Sequence, residues 1–311
     1  MIYIHALFIL LFVIMSNLIV VLVCLAIGLL LQKKRDLPES LAASLNTYVI
    51  YVALPALVLF EIHRLTLDSR AILPFVFAWL LMVISALFIY FFAKRAGWSR
   101  SVTGALMLTV PLGNTGFVGI PLIDALLGPR AIPYAILYDQ FGTFIALNTY
   151  GSFIAAYYSG GATSWKSLTR VIISFPPFVA LILAFVSLPV DFSDWFSSVL
   201  QRISSTLVPV VMVAVGLQWR LRLEREIIAP LALGLIATLF LTPAIAWIIL
   251  YFLGINNLAA QVVVLEAAMP AMISAGVLAI NYQLSPRLAS SLVGYSLLLS
   301  LVTVWAWRQF I

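Results

Sequence analysis

Long apolar runs, each near the length of a membrane-crossing helix, alternate with short polar clusters along almost the whole chain. A helix that spans a hydrocarbon core of about 30 Å needs about 20 mostly apolar residues. Divided wherever charges or turn residues gather, the chain yields ten such runs, at about 7–31, 39–60, 71–93, 101–127, 132–158, 168–189, 193–218, 227–253, 258–281 and 287–309. KKRDLP, EIHRLTLDSR, KRAGWSR and GPRAIP separate the first five. The seventh run carries Arg202 in its first third, and the fourth holds two prolines and the stretch GNTG, so these two depart most from a plain apolar helix. No basic residue precedes the first run, and its apolar stretch is about twice that of a signal peptide, so it reads as a retained helix.

Composition narrows the picture further. Of 311 residues, 64% are apolar and only 9% charged, and the mean hydropathy is +1.15. An ordinary globular domain is about 45–50% apolar and about 25% charged, so soluble enzymes and nucleic-acid binders drop out together and the lipid bilayer becomes the first partner. The net charge of +6 does not change this, because the basic residues sit in clusters between apolar runs. A single cysteine, Cys24, allows no internal disulfide, and two separate histidines, His5 and His63, cannot build a zinc site of normal ligand number. No metal or other cofactor is expected.

The basic clusters set an orientation. With the loop after the first run in the cytoplasm, Lys33, Lys34, Arg35, Lys94, Arg95, Arg100, Lys166, Arg170, Arg220, Arg222, Arg225 and Arg287 fall on the cytoplasmic side. Arg64, Arg70, Arg130 and Arg308 fall on the other. The positive-inside rule then predicts a multi-pass protein of the cell membrane with both termini extracytoplasmic.

Prolines recur at matching ordinals: Pro55 in the second run and Pro209 in the seventh, Pro121 in the fourth and Pro270 in the ninth. Because five is odd, a second set of five helices runs through the membrane in the opposite sense to the first. That arrangement predicts an all-α membrane protein of two inverted five-helix repeats, 1–158 and 168–311, joined by a cytoplasmic linker at 159–167. Proline is also tolerated in membrane helices without such meaning. Pro121 frees the carbonyl of Phe117 and Pro270 that of Glu266, and in hydrocarbon those oxygens need partners. In the fourth run, unwinding at Gly113, Asn114, Thr115 and Gly116 would expose amides at the start of a half-helix, a setting that attracts anions.

At these residues the sequence resembles the auxin efflux carrier family, which includes plant PIN-type carriers and bacterial organic-acid permeases. Residues 114–122, NTGFVGIPL, are similar to the family's Asn-Thr-x-x-x-Gly-Ile-Pro-Leu stretch. LVPVVMVAVGL from Leu207, LEAAMPAMISAGVLAINYQLSP from Leu265 and YVALPALVLF from Tyr51 add matches in order, so the likeness covers about residues 10–308. The resemblance implies ten helices with the fourth and ninth broken and crossing at their prolines, a scaffold portion and a transport portion that move relative to each other, and substrate bound beside the crossing. It carries Asn114, Pro121 and Pro270 over as site residues. Three features depart from the PIN-type pattern: Gly113 stands in place of a proline, Val58 in place of a polar residue and Glu266 in place of a frequent glutamine. The large central hydrophilic loop also shrinks to about residues 159–168. These departures point away from auxin and toward a compact carrier of small organic acids.

Ionisable groups inside the membrane are functional candidates, since insertion costs at least about 2.5–3.5 kcal/mol. Glu266 lies mid-run four residues before Pro270, and Asp139 lies in the fifth run with Thr143 on the same helical face. Both are candidate ion-coupling residues. For Glu266, a proton or cation site stands beside the alternative of a protonated acid bonded to a neighbouring helix. Asp124, Glu61 and Asp36 sit near run ends, where solvated charges are common, and Arg202 reads as snorkelling to an interface. For an anionic substrate the candidates are Asn114, whose amide can donate to a carboxylate, with Thr115, Gly116, Pro121, Pro270, Ser274 and Asn46. Gln140, Asn148 and Asn281 are further polar positions that could line a path or bridge helices.

The pattern therefore predicts a secondary active carrier for a small organic acid, working by a rocking or elevator motion and driven by protons or sodium. A passive channel or facilitator and a sodium-coupled bile-acid-like symporter are the alternatives. No HExxH, no paired membrane aspartates and no nucleotide-binding loop support an enzyme or an ATP-driven pump. A scaffold surface could support a homodimer.

Overall fold

The computed structural model describes residues 19–63 apart from Val21, Arg35 and Glu39, and residues 71–160, 174–218 and 227–311. The start of the first run, most of the 159–167 linker, and the clusters carrying Arg35, Arg64, Arg70, Lys166, Arg170, Arg220, Arg222 and Arg225 lie outside the described residues. Among those described there is no β-strand, and the chain is helical almost throughout.

Five helices are long and apolar enough to cross a membrane: Leu41–His63, Ile72–Arg95, Asp194–Leu217, Ile228–Phe252 and Pro286–Arg308. Leu22–Leu31, Thr115–Leu127, Pro176–Val186 and Leu258–Ala267 are shorter apolar helices. Large apolar side chains such as Phe91, Val186, Phe252 and Val302 stand open on helix surfaces, as expected of helices solvated by lipid. These features make the chain a polytopic all-helical membrane protein.

Three prolines inside the apolar helices share one local arrangement. Five-residue π-helical stretches occupy Val49–Ala53, Thr115–Gly119 and Ala237–Leu241, each ending two residues before a proline: Pro55, Pro121 and Pro243. A proline ring clashes with the carbonyl four residues earlier and cannot donate to it. Here that carbonyl belongs to Tyr51, Phe117 or Leu239, the central residue of each wide turn, so the local widening falls where the ring needs room. The Leu239 carbonyl, freed by Pro243, accepts from the indole Nε1 of Trp307 at 2.9 Å.

The chain divides into two compact units, each assembled from both halves of the sequence. The first draws on residues 1–66, 120–136 and 173–219. In it the helix Leu54–His63 packs against Pro176–Val186 and Asp194–Ser204, around Ala56, Phe60 and Leu200. His63 stacks on Phe192 with ring centroids 3.8 Å apart. Tyr48 shares a hydrogen bond with Thr206 at 2.8 Å, and the Gln32 amide donates to the Gly216 carbonyl at 2.6 Å. The latter bond accompanies a close helix crossing: a Cβ added at Gly216 would collide with the Leu25 carbonyl and lie 2.9 Å from the Gly28 Cα, so only glycine lets these backbones touch.

The second unit draws on residues 67–119, 137–172 and 220–311. One of its cores joins Ile89, Leu106, Leu108, Leu288 and Leu292 from the helices Ile72–Arg95, Arg100–Thr109 and Pro286–Arg308. Polar bonds cross this apolar packing: Ser85 with Thr242 at 3.0 Å, Trp79 Nε1 to the Phe141 carbonyl at 2.9 Å, and Tyr150 to the Met107 carbonyl at 2.7 Å.

Candidate functional site

The fourth and ninth runs are both interrupted, and their interruptions meet inside the second unit. Helix Arg100–Thr109 stops before residues 110–114, and Leu258–Ala267 stops before residues 268–272. The Asn114 amide donates to the Pro270 carbonyl at 2.7 Å and the Met272 amide to the Leu112 carbonyl at 2.9 Å, forming one antiparallel bridge between Gly113 and Ala271. Two non-helical segments thus satisfy each other, which is what backbone at this depth requires. The remaining groups are also used. The Glu266 carbonyl, freed by Pro270, accepts from Met269 at 3.2 Å, and the Ala271 amide donates to Ser296 Oγ at 3.0 Å.

The break in the fourth run differs in place from the expectation. It lies at residues 110–114 and begins beside Pro111, while Pro121 stays inside the helix Thr115–Leu127, where the preceding π turn accommodates its ring. The crossing therefore pairs the Gly113 stretch, not Pro121, with Pro270. Pro121 belongs to the first unit, as does Asn46, whose Oδ1 is buried without a partner. Asn114, Thr115, Gly116, Asp139, Glu266, Pro270 and Ser274 all belong to the second.

Asp139 closes over the start of the second half-helix. Its Oδ1 accepts from Thr115 Oγ1 at 2.6 Å and its Oδ2 from Gln140 Nε2 at 2.6 Å, and the Gly116 amide bonds the same carboxyl. The amides exposed by unwinding were expected to await an external anion, but a side chain of the chain itself takes that place, as a cap supplied from another helix. Asp139 sits in the π-helical stretch Tyr138–Phe144, so this clamp ties two irregular segments together.

Two polar side chains at the crossing carry buried atoms without partners. Asn114 is 3% exposed and its Nδ2 has no acceptor; Glu266 is 1% exposed and neither carboxylate oxygen has a donor. Glu266 reaches over Gly119, where an added Cβ would collide with Oε2, so a glycine is needed to admit the carboxyl. Beside it lies a cavity of about 20 Å³ lined by Gly113, Thr115, Thr143, Thr238, Thr242 and Glu266, together with apolar neighbours. Sequence reading missed Gly119, Thr238 and Ser296. Thr238 carries a legible signal as a hydroxyl within an otherwise apolar run, and Gly119 is the glycine of the Asn-Thr-x-x-x-Gly-Ile-Pro-Leu stretch.

The other candidates scatter. Ser274 is exposed in the first turn of Ile273–Asn281, Asn148 donates to the Phe144 carbonyl at 2.8 Å within its own helix, and Arg202 is exposed. Pro121 lines a separate cavity of about 410 Å³ in the first unit, with Glu61, Asp124, Gln201, Ser204 and Pro209. Among the described residues no group of three or more His, Cys, Asp or Glu side chains could hold a metal ion.

Comparison with known proteins places the chain among membrane transporters. The chain matches a family model described as membrane transport protein in two stretches, residues 13–164 and 163–308. An uncharacterized transporter of Methanothermobacter thermautotrophicus is 32% identical over 293 residues, covering 92% of this chain and 95% of that protein. An uncharacterized transporter of Methanocaldococcus jannaschii is 27% identical over 314 residues, covering 94% of this chain and 98% of that one. The chain thus belongs to the membrane transport proteins of the auxin efflux carrier family.

Proposed function

We propose that this protein is a secondary active carrier of a small organic anion, built as two inverted five-helix repeats and working by alternating access. The observation that carries the reading is the side-chain Nδ2 of Asn114: a donor almost wholly withdrawn from solvent, without an acceptor, at the crossing of two interrupted helices. Leaving such a donor unpaired costs about 1–3 kcal/mol, and a carboxylate is the ligand that returns the most for it. The first turn of Ile273–Asn281, with Ser274, has no side-chain cap and supplies further amides for the same anion. Thr115, Gly116 and Pro270 shape the crossing through the backbone, and Asp139 holds the half-helix in register. Glu266 is the coupling group through which a proton or sodium gradient drives transport.

The test is counterflow in proteoliposomes containing the purified protein, offering malate, malonate, lactate and indole acetate in turn. One acid is expected to exchange, and Asn114→Ala lowers that exchange by about 10- to 100-fold, the value of one hydrogen bond to a charged group. If no acid exchanges above protein-free vesicles, or if the variant matches the parent protein, the reading is wrong.

A further inference from the structure

The small cavity beside Glu266 is a site in its own right, and we propose that it binds one dehydrated monovalent cation of sodium size. Its existence does not depend on the carrier reading, but its use as the coupling site does.

Two unsatisfied side chains line it. Glu266 has two carboxylate oxygens without a donor, and Thr238, 2% exposed, has a hydroxyl without a partner. Two such groups in one cavity wall, on helices from different parts of the chain, do not arise from packing alone, because buried polar atoms normally find partners. The remaining polar lining is of the same chemical kind. Thr115 and Thr242 each spend their hydroxyl proton on another acceptor, Asp139 Oδ1 and the Ala237 carbonyl, and Thr242 also accepts from Ser85, which leaves at least one lone pair on each oxygen. Thr143 adds a hydroxyl and Gly113 a stretch of unwound backbone. The polar groups of the wall are oxygens throughout, set beside the thioethers of Met82 and Met269 and apolar side chains, and oxygen donors suit a hard cation.

Charge and size choose among hard cations. Glu266 is the one carboxylate in the wall; Asp139 does not line the cavity, and its oxygens already accept from Thr115, Gln140 and Gly116. A single negative charge neutralises a monovalent ion and leaves a divalent one uncompensated, and buried charges are tolerated only when paired. A volume of about 20 Å³ admits one water-sized occupant, so the ion enters without its hydration shell. Gly119 belongs to the same device, since a side chain there would displace the carboxyl from the wall.

The site also has a consequence for the neighbouring amide of Asn114. An uncompensated carboxylate near an anion site repels the anion, and a bound cation removes that repulsion. Cation and substrate anion are thus expected to bind together.

The experiment is thermal unfolding of the purified full chain in detergent at constant ionic strength and without organic acid, titrating sodium, potassium, choline and calcium chlorides at two pH values. Sodium is expected to raise the melting temperature by several degrees in a saturable manner while choline does not. Thr238→Val shifts the half-saturating sodium concentration upward by about tenfold or more, and Glu266→Gln abolishes the response. Should Glu266→Gln fail to fold, Thr238→Val alone decides. Stabilisation by acid with no response to sodium would show a protonated glutamic acid and overturn the proposal, as would a calcium response at lower concentration, or a sodium response unchanged in both variants. The carrier reading fails separately: sodium binding without counterflow refutes that reading alone, and counterflow in a protein that no cation stabilises refutes this one alone.

Discussion

Replacing Asp139 should cost the protein more than removing any other single polar side chain of the crossing. Its carboxyl receives three donors, Thr115 Oγ1 and Gln140 Nε2 at 2.6 Å each, and the Gly116 amide. In Asp139→Ala the Thr115 hydroxyl can rotate toward another acceptor, but the Gln140 amide and the Gly116 N–H cannot follow the lost oxygens. Two stranded donors at about 1–3 kcal/mol each predict a loss of about 2–6 kcal/mol. Asp139→Asn keeps the volume and one acceptor, turning an NH2 toward one former donor, so it should lose about half as much. Scanning fluorimetry of the purified protein gives the ranking directly: parent above Asn above Ala in melting temperature. A double-mutant cycle with Thr115→Val should then show a coupling of about 1.5–3 kcal/mol, the size of a charge-assisted bond. If Asp139→Ala melted within a degree of the parent, or if the cycle closed with no coupling, the clamp would have no energetic content and the reasoning would fail.

Two further predictions follow from the backbone. Trp307→Phe removes the donor to the Leu239 carbonyl that Pro243 leaves free, and should destabilise by about 1–3 kcal/mol; Pro243→Ala in the same background restores a helical donor and should recover part of the loss, read as melting temperature. Gly216→Ala places a methyl against the backbone of Leu25 and Gly28, neither of which can yield as a side chain would, so a loss of about 1–3 kcal/mol is expected, and an unchanged melting temperature would refute the close crossing.

Hydrophobic pattern alone located the apolar helices, because lipid leaves no other solution for backbone at that depth: the five long spans and the shorter apolar helices fall on runs read from the chain, to within a few residues at their ends. It also located the region of the crossing, since Gly113, Asn114 and Pro270 are poor residues for continuous helix. What escaped was the partnership between distant side chains. Asp139 read as an ion-coupling carboxylate because it is ionisable and inside a span, and nothing in its neighbours in sequence announces that Thr115 and Gly116 bond it. Pro121 read as the break because proline is the strongest single interrupter, yet the π turn before it absorbs the ring and the helix continues. Gly119 gave no sign of its task, since a glycine's use depends on what approaches it, here Glu266.

Each compact unit is threaded through the other in sequence, and this bears on how the protein is made. Residues near 66, 119, 136, 172 and 219 are the points where the chain passes from one unit to the next. A ribosome feeding the membrane delivers helices in order, so the first unit lacks a third of its segments until Trp219 has emerged, and the second is incomplete until residues 220–311 follow. While residues 140–269 are being made, then, Asn114 and Asp139 are already in the chain and Pro270 does not yet exist. The interrupted fourth helix must survive that interval with its Leu112 carbonyl and Asn114 amide unanswered, and the insertion machinery or water must hold it until the ninth arrives. Residues that stabilise the nascent first half, rather than the finished crossing, should therefore govern the yield of inserted protein.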